Sequence, residues 1–415
     1  MAKKKYKHDG TDIIDAHTLV KYDLYRDYLS DYIRVYFQNS HVQKLRIFIA
    51  DLFCGGGFAK DEFDNPVFCS PLIAIETCQK LQKEISEKRG RPVEIEPYFF
   101  FNDLEPTAIK YLKIFIQDFF PHYFKNCSFY NKAFEDVYLE VLHEMKSLES
   151  SSKGNRKFFF IDPYGYLQVP MQAIQMIKKS GKSEILWNFM IDYTAHYWTP
   201  ENQKKIDFYK IFGTSPAQKE ALINRINSLK STFEWHAIRH VICELIHYNS
   251  RFVTMSDFAI QMDTSHKFMT LIHLADSPKA RDVMTGSHWA NGNVTQTYNY
   301  DGLQYQNITR QVGQDPTLFT FSKLERENTI DRSRSLVFDL INRTPGISLP
   351  EITRVFAQQY SALQEQDIQK VLTEFEKDIV CYDIDGQETR SKTKRHSFQI
   401  SPQLSFPLPI IKKKE

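Results

Sequence analysis

Apolar positions along the chain follow two rhythms. From His17 to Phe37, residues Leu19, Tyr22, Tyr25, Leu29, Ile33 and Phe37 recur at the spacing of one helix face and predict an amphipathic helix lying against the main body. Beyond it, short apolar runs bounded by turn residues alternate with helical spans. LRIFIAD (45–51), YFFFND (98–103), CSFYN (127–131), KFFFID (157–162) and EILWNF (184–189) are expected as strands, with helices over 106–120, 133–148 and 172–180. SPLIAIETCQKLQKEISEK, with Ser70 as N-cap and Pro71 at the first helical position, predicts another helix starting near Pro71. Buried runs separated by helices mark a doubly wound α/β fold, a mostly parallel sheet covered on both faces. RFVTMSDFAI and KFMTLIHLAD supply two late strands that could close the sheet, and the span from Pro200 to about Tyr248 is expected to be a polar helical insertion after the fifth strand.

After a polar, aperiodic stretch over 291–316, the pattern changes. DRSRSLVFDLINR, SLPEITRVFAQQY and EQDIQKVLTEFEKD predict three helices, and IVCYDID and RHSFQIS two strands around the basic turn GQETRSKTKR, the order of a winged helix. The expected organisation is an N-terminal helical lead (1–40), a Rossmann-like α/β domain (41–300, insertion about 200–248), a linker (301–325), a winged-helix domain (326–405) and a basic tail (406–415). The third helix of that unit carries Glu365, Asp367, Glu374, Glu376 and Asp378, a face that repels phosphate. Its hairpin offers Arg390, Lys392, Lys394 and Arg395 for nucleic-acid backbone contact; the alternative is a charged, solvated loop on a protein-interaction module.

A length of 415 residues suggests two or three domains. With 53 Lys+Arg against 51 Asp+Glu, nucleic-acid contact has to come from local clustering and not from a bulk positive field. No apolar run approaches the roughly 20 residues of a membrane helix, and MAKKKYKHDG has no apolar segment behind its charges, so a secretory signal is not expected. The six cysteines are scattered without a C-x-x-C pair, which argues against zinc or a disulfide framework and favours a reducing cytoplasm.

Candidate chemistry gathers at the predicted strand ends. In DLFCGGGF a buried strand ends on Asp51, and Gly55, Gly56 and Gly57 follow; glycines there let backbone approach a nucleotide-like ligand, or simply make a tight turn. Neither the spaced dinucleotide fingerprint nor a Walker lysine is present. A ribose-bearing ligand needs an acidic acceptor at the next strand end, where Asp103 stands, with Glu105 and Glu76 as the other choices. At the fourth strand Asp162, Pro163, Tyr164 and Gly165 bring a carboxylate and a ring to the same edge, suited to an amine and a planar substrate, or to capping a helix and forming a turn.

KYDLYRDYL, IADLFCGGGF, CSPLIAIE, FFFNDLEP, FFFIDPYGY and EILWNF together resemble the three-Cys-motif partner (TcmP) family, over about residues 17–290. That family is similar in sheet order to class I S-adenosylmethionine-dependent methyltransferases. The resemblance implies a methyltransferase-like fold with S-adenosyl-L-methionine as cofactor. Asp51, Phe53, Gly55, Gly56 and Gly57 would bind it, with Asp103 on its ribose. Asp162, Pro163 and Tyr164 would be on the acceptor side, where amino-methyltransferases have Asp-Pro-Pro-Tyr, implying nucleic acid as substrate. It also implies a three-cysteine-motif partner protein and an association with phages or mobile elements. DLFCGGGF is similar to cytosine C5-methyltransferases too, yet the chain lacks their Pro-Cys nucleophile pair. The other class of function is a non-catalytic or repurposed module that recognises nucleic acid or a partner, in defence against mobile elements. A nucleotide-dependent hydrolase would require a metal-ligand cluster that the sequence does not supply.

Overall fold

The computed structural model describes residues 6–149, 155–163, 165, 168–189, 206–230, 235–262, 267–292, 295–297, 317–319, 321–358, 361–390 and 395–401. Tyr164, Lys392, Lys394 and the tail 406–415 therefore lie outside the described residues, as do 301–316 and 320 of the expected linker.

Helix α1 (Ala16–Tyr36) precedes strand β1 (Lys44–Asp51). A small hairpin, β2 (Phe58–Lys60) and β3 (Pro66–Phe68), follows, then α2 (Ser70–Arg89), β4 (Glu94–Asn102) and α3 (Pro106–Phe119). A 3-10 turn at Pro121–Asn126 leads to β5 (Cys127–Tyr130), α4 (Phe134–Leu148), β6 (Asn155–Ile161), α5 (Met171–Lys179) and β7 (Ser183–Phe189). Next come α6 (Phe208–Phe212), α7 (Pro216–Lys230), α8 (Trp235–Ser250), β8 (Thr254–Met262), β9 (Lys267–Ala275) and α9 (Pro278–Asn291).

Seven of these strands form one sheet in the order β5-β4-β1-β6-β7-β9-β8. Counted along the chain within that sheet, the order is 3-2-1-4-5-7-6. Strands β1, β4, β5, β6 and β7 pair in parallel, while β9 is antiparallel to both β7 and β8. This is the doubly wound, Rossmann-like order of class I methyltransferases, and its chain reversal falls between β1 and β6.

The triple phenylalanines show why both faces are covered. Phe99, Phe100, Phe101, Phe158, Phe159 and Phe160 are all fully buried, so at these positions neither face of β4 or β6 meets water. Alternate side chains enter different layers: Ile47, Ile49, Phe158 and Phe160 pack with Tyr25, Leu29, Leu72 and Leu112 of α1, α2 and α3. On the other side Phe48, Ala50, Phe159 and Ile161 pack with Val137, Ile174 and Ile242 of α4, α5 and α8. Each such phenylalanine contributes about 1.5–3 kcal/mol of transfer free energy.

Two expectations need correction. Helix α2 begins at Ser70, with Cys69 as its N-cap and no side-chain cap; the Ser70 hydroxyl faces Asp51 instead. The span 200–248 is not a polar insertion throughout, because Ile238, Val241, Ile242 and Ile246 of α8 are buried in the second core layer. Their apolar spacing is diluted by His236, Arg239, His240 and Glu244, which masked the stripe in the sequence.

Strands β10 (Thr295–Thr297) and β11 (Thr317–Phe319) pair with each other, and a second unit follows. It contains α10 (Lys323–Arg343), β12 (Ile347–Ser348), α11 (Leu349–Gln358), α12 (Glu365–Glu374), β13 (Ile379–Tyr382) and β14 (Ser397–Ile400). The three strands make an antiparallel sheet, order β12-β14-β13, over a separate core that includes Val337, Ile352, Ile368 and Phe398. A capping box between Ser322 and Glu325 sets the start of α10. The unit is docked on α9: Arg281, 1% exposed, donates to the carbonyls of Ser361 and Leu363, and Trp289 Nε1 donates to the Ala362 carbonyl at 2.9 Å. Among the described residues, no helix is long and apolar enough to cross a membrane.

Candidate functional site at the carboxyl edge of the sheet

β1 ends at Asp51, opposite Phe101 of β4 and Phe160 of β6, so the glycine turn, Asp103 and Asp162 share one sheet edge. Asp51 is 1% exposed; its Oδ1 accepts from the Phe53 N–H at 3.4 Å, and its Oδ2 is buried without a hydrogen-bond partner. Burial pushes the Asp51 carboxyl up to about 7, against the pull of the Ser70 hydroxyl, and the charges of Asp162 and Asp103 push the same way as burial.

The three glycines serve three different ends. Gly55 adopts φ +59° and a β carbon there would meet nothing within 4 Å, so this turn residue faces open space. A β carbon on Gly56 would stand 2.7 Å from the carbonyl oxygen of His8, and one on Gly57 2.5 Å from Leu112 Cδ1. Gly56 thus admits the N-terminal segment, and Gly57 admits α3. That segment is held by Lys60, whose N–H donates to the Asp12 carbonyl and whose carbonyl accepts from the Ile14 N–H, each at 2.9 Å. The Asp12 carboxylate in turn accepts the backbone N–H groups of Lys7 (2.9 Å) and His8 (2.6 Å).

Asp103, 3% exposed, closes the turn from the β4 side. Its Oδ2 accepts the Gly55 N–H and its Oδ1 the Glu105 N–H, both at 2.9 Å. Glu105 is the exposed N-cap of α3. Glu76 sits within α2, paired with Lys80, and is not at a strand end.

Asp162 follows β6 and accepts one bond at each oxygen. Asn188 Nδ2 on β7 donates to Oδ1 at 2.7 Å, and the Lys21 ammonium from α1 pairs with Oδ2. Lys21 and Asp162 side chains are only 6% and 18% exposed. Neither Lys21 nor Asn188 was among the residues expected at the site, although each carries a signal. Lys21 shares the i, i+4, i+8 stripe of Tyr25 and Leu29, so a cation stands on a core-facing helix position. Asn188 interrupts a strand in which every residue is buried.

A cavity of about 250 Å³ joins these groups. Gly55, Gly56, Gly57, Phe53 and Cys54 line one side, Lys21, Asp162, Pro163 and Asn188 another, and Tyr6, His8 and Asp12 a third. Phe53 is braced by a stacked contact with Phe134, ring centroids 5.2 Å apart. Asp51 lies behind this wall. Among the described residues no cluster of His, Cys, Asp and Glu could hold a metal ion.

A larger groove of about 760 Å³ runs between α1, α2, α9 and α12, away from the glycine turn. Its charges are matched: Arg34 pairs with Asp31 and Glu84, and Lys279 with Asp282 and Glu365. In the second unit Arg390 is exposed, whereas Arg395 is paired with Glu376. The first turn of α12 is occupied by α9, because Asp282 Oδ1 accepts the Glu365 N–H at 2.6 Å.

No family model matches the sequence, and neither does any curated protein. Solved structures similar to this one include the bifunctional kinase-methyltransferase WbdD (9% identity, TM-score 0.31, covering 62% of this chain and 39% of that one). The DszA carbon methyltransferase follows at 12% identity and TM-score 0.31, covering 61% of this chain and 54% of its own. Magnesium protoporphyrin IX methyltransferase from Synechocystis PCC 6803, solved with bound SAM, shows 9% identity and TM-score 0.29, with 65% and 88% covered. The chain thus spans about two fifths and just over half of the first two proteins. Likeness this slight adds nothing to the strand order, which by itself defines the fold.

Proposed function

We propose that this chain is an S-adenosyl-L-methionine-dependent methyltransferase. The observation that carries the reading is the cavity that joins Gly55 to Asp162 across the chain reversal between β1 and β6, the position where open α/β sheets bind ligands. The residues present suit the cofactor. Gly55 leaves its backbone uncovered, and Asp103, which holds the turn from behind, retains lone pairs for a ribose hydroxyl. When bound, the cofactor supplies an electrophilic methyl group on a sulfonium. The protein's part is chiefly to hold donor and acceptor in line and to exclude water. At about 250 Å³ the cavity is smaller than the roughly 300–1,000 Å³ of most small-ligand sites.

The finer reading is membership of the three-Cys-motif partner family, with a three-cysteine-motif protein as partner and nucleic acid as methyl acceptor. It is supported by the segments of likeness between residues 17 and 290 and by the exposed Arg390 on the basic turn of a winged-helix-like unit. Contact through that turn suits the reading better than insertion of α12 into a groove, since Asp282 already occupies the first turn of α12.

Calorimetric titration with S-adenosylmethionine is the direct test; folded protein that does not bind it overturns the proposal. A second reading, a non-catalytic module, is favoured by the seating of His8 on Gly56. Cofactor bound without methyl transfer to DNA, RNA or protein would decide for it.

A further inference from the structure

Lys21 is the one lysine or arginine among the described residues that line the cavity, and its side chain is only 6% exposed. Shielding an ammonium from water is costly unless its donors are met. Among the described residues only one of the three is met, by Asp162 Oδ2. Asp162 is half used in the same way. Its oxygens accept one bond each, from Lys21 and from Asn188 Nδ2, and each retains a lone pair at the cavity wall. Asn188, which lines the same cavity, adds a buried Oδ1 with no partner. Spare donors thus stand directly beside spare acceptors, on another side of the cavity from Gly55.

We infer that the Lys21–Asp162 pair binds the zwitterionic α-amino-acid head of the cofactor; the inference rests on the methyltransferase reading above. Such a head carries a carboxylate and an ammonium on one carbon, and an ion pair is its complement. Lys21 donates to the carboxylate of the head, while Asp162 and Asn188 Oδ1 accept from its ammonium. No proton has to move for this recognition. A lone cation at this place would attract one half of the head and repel the other, and a lone carboxylate would do the reverse. Hydrogen bonds between charged groups are the strong ones, and the shielding of this pair from water strengthens them further. The cofactor is then held with its nucleoside at Gly55 and Asp103 and its head at Lys21 and Asp162. Asp162 serves the cofactor in this arrangement, whereas the sequence alone suggested the acceptor side.

Calorimetry on the full-length protein compares three ligands: S-adenosylmethionine, its decarboxylated form, which keeps the amine, and 5′-methylthioadenosine, which has no head. The parent protein is expected to prefer S-adenosylmethionine over the decarboxylated form by about 10- to 100-fold. Lys21→Met is expected to erase that preference while methylthioadenosine affinity stays unchanged. Equal affinity for both forms in the parent, or a preference that survives in Lys21→Met, overturns the inference and leaves the methyltransferase reading standing. If Lys21→Met weakens methylthioadenosine too, the double variant Lys21→Met, Asp162→Asn removes both charges together and is held to the same expectation. Loss of methylthioadenosine in both variants makes the pair a structural strut and overturns the inference. Folded parent protein that binds none of the three overturns the methyltransferase reading, and this inference with it.

Discussion

The backbone N–H of Gly55 donates to Asp103 Oδ2 at 2.9 Å, tying the turn after β1 to the tip of β4. The same carboxylate takes the Glu105 N–H, so one side chain sets both the glycine turn and the start of α3. Asp103→Ala leaves two backbone donors unsatisfied in a largely buried place. It is expected to cost about 1–3 kcal/mol in urea unfolding and to weaken cofactor binding in calorimetry. Unchanged stability would show that water replaces the carboxylate at no cost.

Gly55 and Gly57 should separate binding from folding. Both have positive φ, +59° and +83°, yet only Gly57 has a neighbour, Leu112 Cδ1, in the path of a β carbon. Alanine at either site carries about 1–2 kcal/mol of backbone strain, and Gly57→Ala must also displace Leu112. Thermal melts are expected to rank Gly57→Ala below Gly55→Ala. Calorimetry should show Gly55→Val losing the cofactor while its fold persists; retained binding would place the ligand elsewhere.

Asp51 dictates a pH dependence. Its carboxyl is raised to about 7 in the folded chain, whereas an unfolded aspartate titrates near 3.9. Between these values the folded state holds a proton that the unfolded state has released. Stability is therefore undiminished by this group below about pH 4, falls as pH rises to about 7, and stays lower by on the order of 4 kcal/mol above that. Asp51→Asn is expected to flatten this decline in urea titrations at pH 5 and pH 8. A variant as steep as the parent would remove Asp51 as the cause.

Much of this architecture was legible beforehand because it rests on local pattern. The FFF runs of β4 and β6 are too apolar for any half-exposed strand, and Pro106 marked the start of α3 in the sequence. The β2–β3 hairpin was missed, since its strands are three residues each and too short for periodicity to register. Of the candidate site, the glycines and the three aspartates were visible as candidates, but their partners were not. Lys21 meets Asp162 across 141 positions and His8 meets Gly56 through folded geometry alone, and no spacing rule reaches that far.

Tyr28 offers a check on the core that leaves the site alone. Its hydroxyl donates to Glu184 and lies 2.8 Å from His273 Nε2, and none of the three lines the cavity. Tyr28→Phe takes the nearest donor from Glu184, leaving His273 Nε2 at 3.4 Å, and is expected to lower stability by about 1–3 kcal/mol, with cofactor affinity intact. An affinity loss would mean that the network reaches the cavity through β7.

Two arginines of the basic turn should behave differently. Arg390 is exposed, and Arg390→Ala is expected to reduce the salt slope of any RNA or DNA binding by about one. Arg395 pairs with Glu376, and Arg395→Ala should instead lower the melting temperature. Equal effects on binding from both would show that the pair opens on contact.

The N-terminal segment, fastened to Lys60 by two backbone bonds and pressed on Gly56, forms one wall of the cavity. Any occupant of that space is in contact with a short strap as well as with the sheet edge, and loosening residues 6–14 would unroof it.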